Sequence, residues 1–174
     1  MTLITEEYRS LNASLHASNP RYGIHGLQWA TLLQTLIDVK GFKTVLDYGA
    51  GKRTLAPRLK GVEVREYDPA VPEISARPER ADLLVCTDVM EHIEPDCLDA
   101  VIDDLADLAG VMMFADIATF PADKTLADGR NAHLIVQPGP WWLAKLRRQF
   151  RVLTTQMVDR RIVVQAQPWR TILG

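Results

Sequence analysis

The sequence contains few cysteines, no long apolar run and little excess of either charge. Its two cysteines, Cys86 and Cys97, form no CxxC pair, so we expect two reduced, packed thiols of a reducing cytoplasm. No stretch approaches the roughly 18 apolar residues of a membrane span, and no signal peptide is recognisable. The formal net charge of −2 is unlike that of a dedicated nucleic-acid-binding protein, which is usually clearly basic. These absences predict a cytoplasmic protein with no membrane partner.

Length and composition predict one domain. The chain has 174 residues, of which 47% are hydrophobic and 24% are charged, the ordinary balance of a globular protein. We expect residues 1–25 to form an N-terminal arm or a first helix, and residues 26–174 to form the core. Residues 19–23 (Asn-Pro-Arg-Tyr-Gly) are typical of a turn.

Helical and strand-like patterns alternate along the core. Apolar residues at helical spacing predict a helix over 27–39 that Gly41 ends, one over 52–59, and one that follows Pro95-Asp96 and is capped by Gly110. Pro140 is expected to open a fourth helix. Buried or alternating runs predict strands over 44–48, 62–67, 82–86, 111–115, 152–158 and 161–166. The alternation predicts an α/β three-layer sandwich with a mostly parallel sheet. The short connection Asp159-Arg160 predicts a closing hairpin, which makes the last strand antiparallel.

The most specific pattern is the turn Gly49-Ala50-Gly51, which directly follows the strand that contains Asp47. Glycines let the backbone approach a ligand closely and adopt dihedral angles that other residues resist. In open α/β sheets, ligands bind beyond the carboxyl ends of the strands. Asp68 ends the next strand, where a carboxylate can accept hydrogen bonds from both hydroxyls of a ribose. The pattern predicts a cofactor site, and a purely structural turn is the alternative.

Two common nucleotide motifs fit this turn less well. The GxGxxG motif of nicotinamide-dependent enzymes requires glycine at position 54, where this chain has Thr54. No GxxxxGK[ST] phosphate-binding loop occurs. A nicotinamide-dependent oxidoreductase is therefore a disfavoured alternative.

Over residues 27–166 the chain resembles class I S-adenosylmethionine-dependent methyltransferases, most closely the compact stand-alone enzymes of bacteria and their phages. The segments that carry the resemblance are 45–51 (motif I), Tyr67-Asp68 (the ribose-binding acid), 82–93 (the fourth-strand segment with its trailing acid and histidine), and His133 with Trp142 and Phe150 (the stretch before the terminal hairpin).

The resemblance implies an enzyme with a Rossmann-like fold, a seven-stranded sheet with an antiparallel last strand, and bound S-adenosylmethionine. The implied cofactor-binding residues are Asp47, Tyr48, Gly49 and Gly51 for the methionine part, Asp68 for the ribose, and Thr87 and Asp88 near the transferred methyl group. Two departures stand out. Arg53 occupies the position of the family's third glycine, and the segment 69–81 replaces a helix and a third strand.

Asp88, Glu91, His92 and His133 form a second candidate cluster. Asp88 and Glu91 are three positions apart, so one helical turn would bring them together. We favour Glu91, His92 and His133 as catalytic residues, with a histidine acting as general base or positioning the substrate. Structural hydrogen bonding is one alternative. A divalent metal is another, through a partial similarity to the ExxEH motif of small-RNA 2′-O-methyltransferases. The sequence assigns no metal ligand.

The expected reaction moves a methyl group from S-adenosylmethionine to an oxygen or nitrogen atom of a small molecule or sugar, with RNA as a further candidate acceptor. A non-catalytic, cofactor-binding module that regulates a partner is the main alternative. The acids and histidines at 88–92 and 133 favour an enzyme, because a module without catalysis has no use for them.

Overall fold

The computed structural model describes residues 2–18 and 24–173, which contain five α-helices and six β-strands. The helices are α1 (Glu6–Ser18), α2 (Ala30–Lys40), α3 (Leu98–Leu108), α4 (Gly139–Leu146) and α5 (Trp169–Leu173). The strands are β1 (Thr44–Tyr48), β2 (Glu63–Tyr67), β3 (Ala81–Thr87), β4 (Ala109–Ala118), β5 (Phe150–Val158) and β6 (Arg161–Pro168). The turn predicted at 19–23 lies outside the described residues.

All six strands form one mixed sheet in the order β2-β1-β3-β4-β6-β5. The strands β1 to β4 pair in parallel, while β6 is antiparallel to both of its neighbours. The predicted fold class, with its antiparallel last strand, is confirmed. The seven-stranded sheet is wrong for the described part of the chain, because residues 69–80 provide only a 3₁₀ turn, Pro72–Ile74, between β2 and β3.

The sheet separates two apolar layers because alternate side chains of a strand point to opposite faces. On one face, Leu46 and Leu84 pack with apolar residues of α3 and α4. On the other face, Val45 and Leu83 pack with Leu33 of α2. The carboxyl ends of the parallel strands are therefore held at one edge between two helical layers.

The predicted helix boundaries hold in one place and fail in two. Gly41 ends α2 in the left-handed conformation, at φ 68°, as predicted. The helix predicted over 52–59 is wrong, because only a 3₁₀ turn around Pro57 forms there. Gly110 does not cap α3 but lies within β4, where a Cβ atom would stand 2.6 Å from the carbonyl oxygen of Ala81 on the adjacent strand.

The N-terminal segment contributes a helix that packs on the core. Tyr8 of α1 is buried against Leu126 and Ala132, and the Nη1 atom of Arg9 donates a hydrogen bond to the carbonyl oxygen of Pro69, just beyond β2. This helix therefore lies next to the carboxyl edge of the sheet. None of the helices in the described ranges has both the length and the apolar character needed to cross a bilayer.

Candidate active site

A cavity opens at the carboxyl ends of β1, β2 and β3. Its lining includes nearly all the residues predicted to bind a cofactor: Asp47, Tyr48, Gly49, Asp68, Thr87 and Asp88. The helix α1 covers it with Tyr8, Asn12 and His16. The structure thus gathers residues from three strand ends and the N-terminal helix around one space.

The glycine turn after β1 is anchored to the end of β2. The backbone N–H groups of Gly49 and Ala50 both donate to the carbonyl oxygen of Tyr67, over 2.7 and 3.0 Å. Gly49 has a φ of +79°, and a Cβ atom there would stand 2.4 Å from Cγ2 of Val89. Only glycine fits this position, because both the backbone conformation and the close neighbour exclude a side chain.

Arg53 has a left-handed backbone, with φ at +58°. This conformation costs a non-glycine residue about 1–2 kcal/mol, so the position favours the glycine that the resembled family has there. The Arg53 side chain is half exposed and forms an ion pair with Glu66, with Nη2 and Oε2 2.7 Å apart. The arginine therefore extends away from the turn and leaves the cavity open.

Asp68 joins the end of β2 to the glycine turn. Its Oδ2 atom accepts a hydrogen bond from the N–H of Gly51 over 3.1 Å, and its Oδ1 atom accepts one from the N–H of Ala70 over 2.9 Å. Gly51 is placed beside the cavity by this bond, although it is not among the residues that line it. A carboxylate fixed by two backbone donors keeps further lone pairs available to a ligand.

Asp47 is a buried carboxyl group on the cavity wall. Burial, followed by the nearby charges of Glu66 and Asp68, raises its pKa to about 7. An acid of this kind ionises more readily when a cation enters the cavity, because the positive charge offsets both effects.

Tyr8 and Asn12 of α1 were not predicted as site residues. The Tyr8 hydroxyl and the Oδ1 atom of Asn12 are buried, and neither forms a hydrogen bond with a described residue. Both residues line the cavity. Buried polar atoms are almost always paired, so these two indicate a polar ligand. The N-terminal segment offered no sequence pattern that could have revealed them.

Arg161, the first residue of β6, is the centre of a buried charge cluster. Its Nη2 atom contacts Asp88 at 2.7 Å and Glu91 at 3.0 Å, and its Nε atom donates to Asp116 over 2.7 Å. The helical turn predicted to join Asp88 and Glu91 does not form, because the 3₁₀ turn begins only at Met90; the two acids are linked through this shared cation. Sequence reasoning missed Arg161 and Asp116; the only available signal was an acid inside the apolar run of β4.

His92 and His133 are buried side by side, with ring centroids 4.8 Å apart. The Nδ1 atom of His92 pairs with the carbonyl oxygen of Ala132 over 2.7 Å, and that of His133 pairs with the carbonyl oxygen of Phe120 over 2.6 Å. A carbonyl can only accept, so both Nδ1 atoms carry the proton and both Nε2 atoms keep a lone pair in the neutral ring.

Solved structures show the same arrangement of elements. No family model matches the sequence, and no curated protein is found that matches it. The N1-methyltransferase of 1,6-didemethyltoxoflavin from Burkholderia thailandensis, solved with its substrate and S-adenosylhomocysteine, aligns at a TM-score of 0.66 and 17% identity, over 97% of this chain and 92% of that chain. The N-methyltransferase NodS of Bradyrhizobium japonicum aligns at 0.58 and 14% identity, over 92% and 98%.

The magnesium protoporphyrin IX methyltransferase of Synechocystis aligns at a TM-score of 0.58 and 15% identity, over 97% of this chain and 90% of that chain. The chain has the class I methyltransferase fold. Its cavity lies beyond the carboxyl ends of the parallel strands, where ligands bind in open α/β sheets.

Within this methyltransferase fold, the three predicted catalytic residues differ in their access to the cavity. His92 lines it, and burial lowers the pKa of His92 to about 4. His133 stands behind His92. The Glu91 carboxylate is fully buried and turned inward, where it accepts a hydrogen bond from the N–H of Ala118 over 2.6 Å. Burial, followed by the charge of Asp88, raises the pKa of Glu91 to about 8.

Proposed function

We propose that the protein is an enzyme that transfers the methyl group of S-adenosylmethionine to an oxygen or nitrogen atom of a small-molecule acceptor. One observation carries the proposal: the turn from Asp47 to Gly51 meets Asp68 at a single cavity beyond the carboxyl ends of β1 and β2. The Burkholderia and Bradyrhizobium structures named above were both solved with S-adenosylhomocysteine bound, which supports the same cofactor here.

The residues around the cavity suit the parts of this cofactor. Asp68 can accept hydrogen bonds from the ribose hydroxyls, and Asp47 can face the positive charge of the methionine part. The glycine turn allows the cofactor to approach the backbone closely, while Tyr48 and Thr87 form further parts of the wall. The polar atoms of Tyr8 and Asn12 offer additional hydrogen bonds from the helix that covers the site.

The transfer itself is an in-line displacement at the methyl carbon. The acceptor atom forms a bond to this carbon, the carbon–sulfur bond breaks, and its electron pair stays on sulfur to give S-adenosylhomocysteine. Alignment of donor and acceptor alone is worth roughly 7–11 kcal/mol. Asp88, on the cavity wall after β3, is placed beside the methyl group in this scheme.

The histidine pair serves the acceptor. His92 lines the cavity, and its low pKa keeps the ring neutral, so its Nε2 atom can accept a hydrogen bond that orients the acceptor. His133 packs against His92 and orients its ring, so His92 is also the residue to which we assign the proton that a hydroxyl acceptor loses. Glu91 is a positioning residue, because its carboxylate binds Arg161 and the backbone of Ala118.

The experiment is a transfer assay with S-adenosylmethionine labelled in its methyl group, offered with small-molecule, sugar and RNA fractions. We expect label in a small molecule and equimolar S-adenosylhomocysteine. His92→Gln should retain cofactor binding and lose most of the transfer. Tight cofactor binding without transfer to any fraction would instead indicate a non-catalytic module.

A further inference from the structure

We propose that Asp88, His92 and His133 form a binding site for one divalent transition-metal ion at the edge of the cofactor cavity. Each residue offers one ligand atom, and the three atoms lie within 4.8 Å of one another. The residues come from three different segments: the end of β3, the 3₁₀ turn Met90–His92 and the connection between β4 and α4. Asp88 and His92 are four positions apart in the chain, whereas His133 is brought beside them by the tertiary fold.

Both histidines are held as metal-binding histidines are. A ligating histidine usually donates its second ring N–H to a backbone carbonyl or carboxylate, which fixes the tautomer and the ring orientation. Here the carbonyls of Ala132 and Phe120 take the Nδ1 protons of His92 and His133. Each ring is thereby left with an Nε2 lone pair, the atom that binds a metal.

The two carboxylate oxygens of Asp88 face different neighbours. Its Oδ1 atom is 2.7 Å from Nη2 of Arg161, while its Oδ2 atom lies 4.0 Å from Nε2 of His92. An ion about 2.0–2.2 Å from each ligand atom spaces those atoms roughly 3–4.3 Å apart. The observed separations are close to this range, and a small movement of the ligands toward an ion completes the fit.

The surrounding charge also suits a cation. Asp88, Glu91 and Asp116 all contact the single guanidinium of Arg161. Even when Glu91 carries a proton, the two acids Asp88 and Asp116 outnumber the one guanidinium. This negative excess favours a cation at Asp88 although Arg161 is near.

The donor set selects the kind of ion. Two imidazole nitrogens and one carboxylate oxygen suit divalent manganese, iron, cobalt or zinc, whereas magnesium and calcium prefer oxygen ligands. Three protein ligands leave coordination positions for an acceptor, and Asp88 and His92 both line the cavity.

The role of the ion in catalysis, unlike its binding, rests on the proposed function. A metal-bound hydroxyl group has a strongly lowered pKa. An ion would thus supply the activated oxygen nucleophile and replace His92 as the proton acceptor, because the one lone pair on Nε2 cannot hold both a proton and a metal.

The test is a titration of the EDTA-treated full-length protein with Co²⁺ and Zn²⁺, followed by calorimetry and by the visible absorption of Co²⁺. We expect one ion per chain and a Co²⁺ spectrum that indicates nitrogen ligands. The variant His92→Ala/His133→Ala should weaken binding at least about 100-fold. His25→Ala is the matched control: His25 lies 3.2 Å from Asp116 but outside the three-residue cluster, so its removal should leave the affinity within about threefold.

Circular dichroism must show that each variant is folded. If the double variant is not, the single changes His133→Gln and Asp88→Asn replace it, each with an expected loss of about 10-fold or more. Metal binding that is absent, or that the three ligand changes leave unaltered, overturns the proposal. A separate titration with S-adenosylmethionine distinguishes the metal site from the methyltransferase function. Cofactor binding without metal binding contradicts only the metal site. Metal binding without cofactor binding contradicts only the methyltransferase function.

Discussion

Arg161 and Asp88 are 73 residues apart in the chain, yet Nη2 of the arginine lies 2.7 Å from Oδ1 of the aspartate. The antiparallel pairing of β6 with β4 creates this contact, because it places Arg161 opposite Ala118 at the carboxyl end of the sheet. The last strand thus supplies the positive charge that holds the acids beside the cavity.

Arg161→Met should destabilise the fold by about 3–5 kcal/mol, because it leaves the buried acids Glu91 and Asp116 and the partly buried Asp88 without their cation. Urea unfolding at neutral pH measures the change. The control is Arg151→Met on the exposed side of β5, which should change the free energy of unfolding by no more than about 0.5 kcal/mol. A loss at Arg161 as small as that at Arg151 would contradict the assigned role of the cluster.

Gly49→Ala should destabilise the protein by about 1–3 kcal/mol more than Gly129→Ala. Both glycines have positive φ angles, +79° and +89°, so the backbone strain is matched. An added Cβ atom at position 49 meets Val89 at 2.4 Å, whereas at position 129 it meets nothing within 4 Å. Thermal unfolding compares the two, and adding Val89→Ala should recover part of the loss at position 49. Equal losses would show that the Val89 contact is unimportant.

Asp47→Asn should stabilise the cofactor-free protein increasingly as the pH rises. The native pKa of about 7 lies above the ordinary 3.8, so between these values the folded state holds a proton that the unfolded state has released. Stability is therefore lost as the pH rises through this window, and asparagine removes that loss. We expect the gain to grow by about 2–3 kcal/mol between pH 5 and pH 8.

Unfolding curves of both proteins at several pH values measure this gain. The groups that oppose ionisation of Asp47 are Glu66 and Asp68, both from β2 or its end. Exposed Asp96→Asn is the control and should show no such trend. A gain at Asp47 that does not vary with pH would mean that this carboxyl titrates normally.

The sequence predicted the strands, and the residues that meet at their carboxyl ends, more successfully than the charge cluster. Thr44–Tyr48 is a strand whose neighbouring residues Val45 and Leu46 are buried on opposite faces of the sheet, and this apolar pair is visible in the sequence. Asp68 was located by its position at the end of the next strand. Both predictions depend on local patterns and on the general rule that parallel strands meet at one edge.

Other features depend on tertiary contacts that no local pattern encodes. Arg161 looked like an ordinary hairpin residue until the register of β6 against β4 was known. Tyr8 and Asn12 reach the cavity only because α1 packs over the sheet edge. The helix expected over 52–59 fails because Arg53 adopts a left-handed backbone and Pro57 lacks an N–H donor, so only a 3₁₀ turn forms.

Asp68→Ala should weaken the binding of S-adenosylmethionine by about 1.5–3 kcal/mol, or roughly 10- to 150-fold, the usual contribution of hydrogen bonds to a charged group. The change to alanine also removes the acceptor for the N–H groups of Gly51 and Ala70. Asp68→Asn is therefore measured as well, because its amide oxygen keeps one acceptor. Exposed Asp96→Ala should bind like the wild type. Unchanged affinity in both Asp68 variants would remove this residue from the cofactor site.

The most direct measurement is calorimetric titration of the wild-type protein with S-adenosylmethionine and, separately, with NAD. The turn from Asp47 to Gly51, paired with Asp68 and followed by Thr54 instead of glycine, predicts saturable binding of one S-adenosylmethionine per chain and no heat from NAD. Binding of NAD with no response to S-adenosylmethionine would contradict the proposed methyltransferase function.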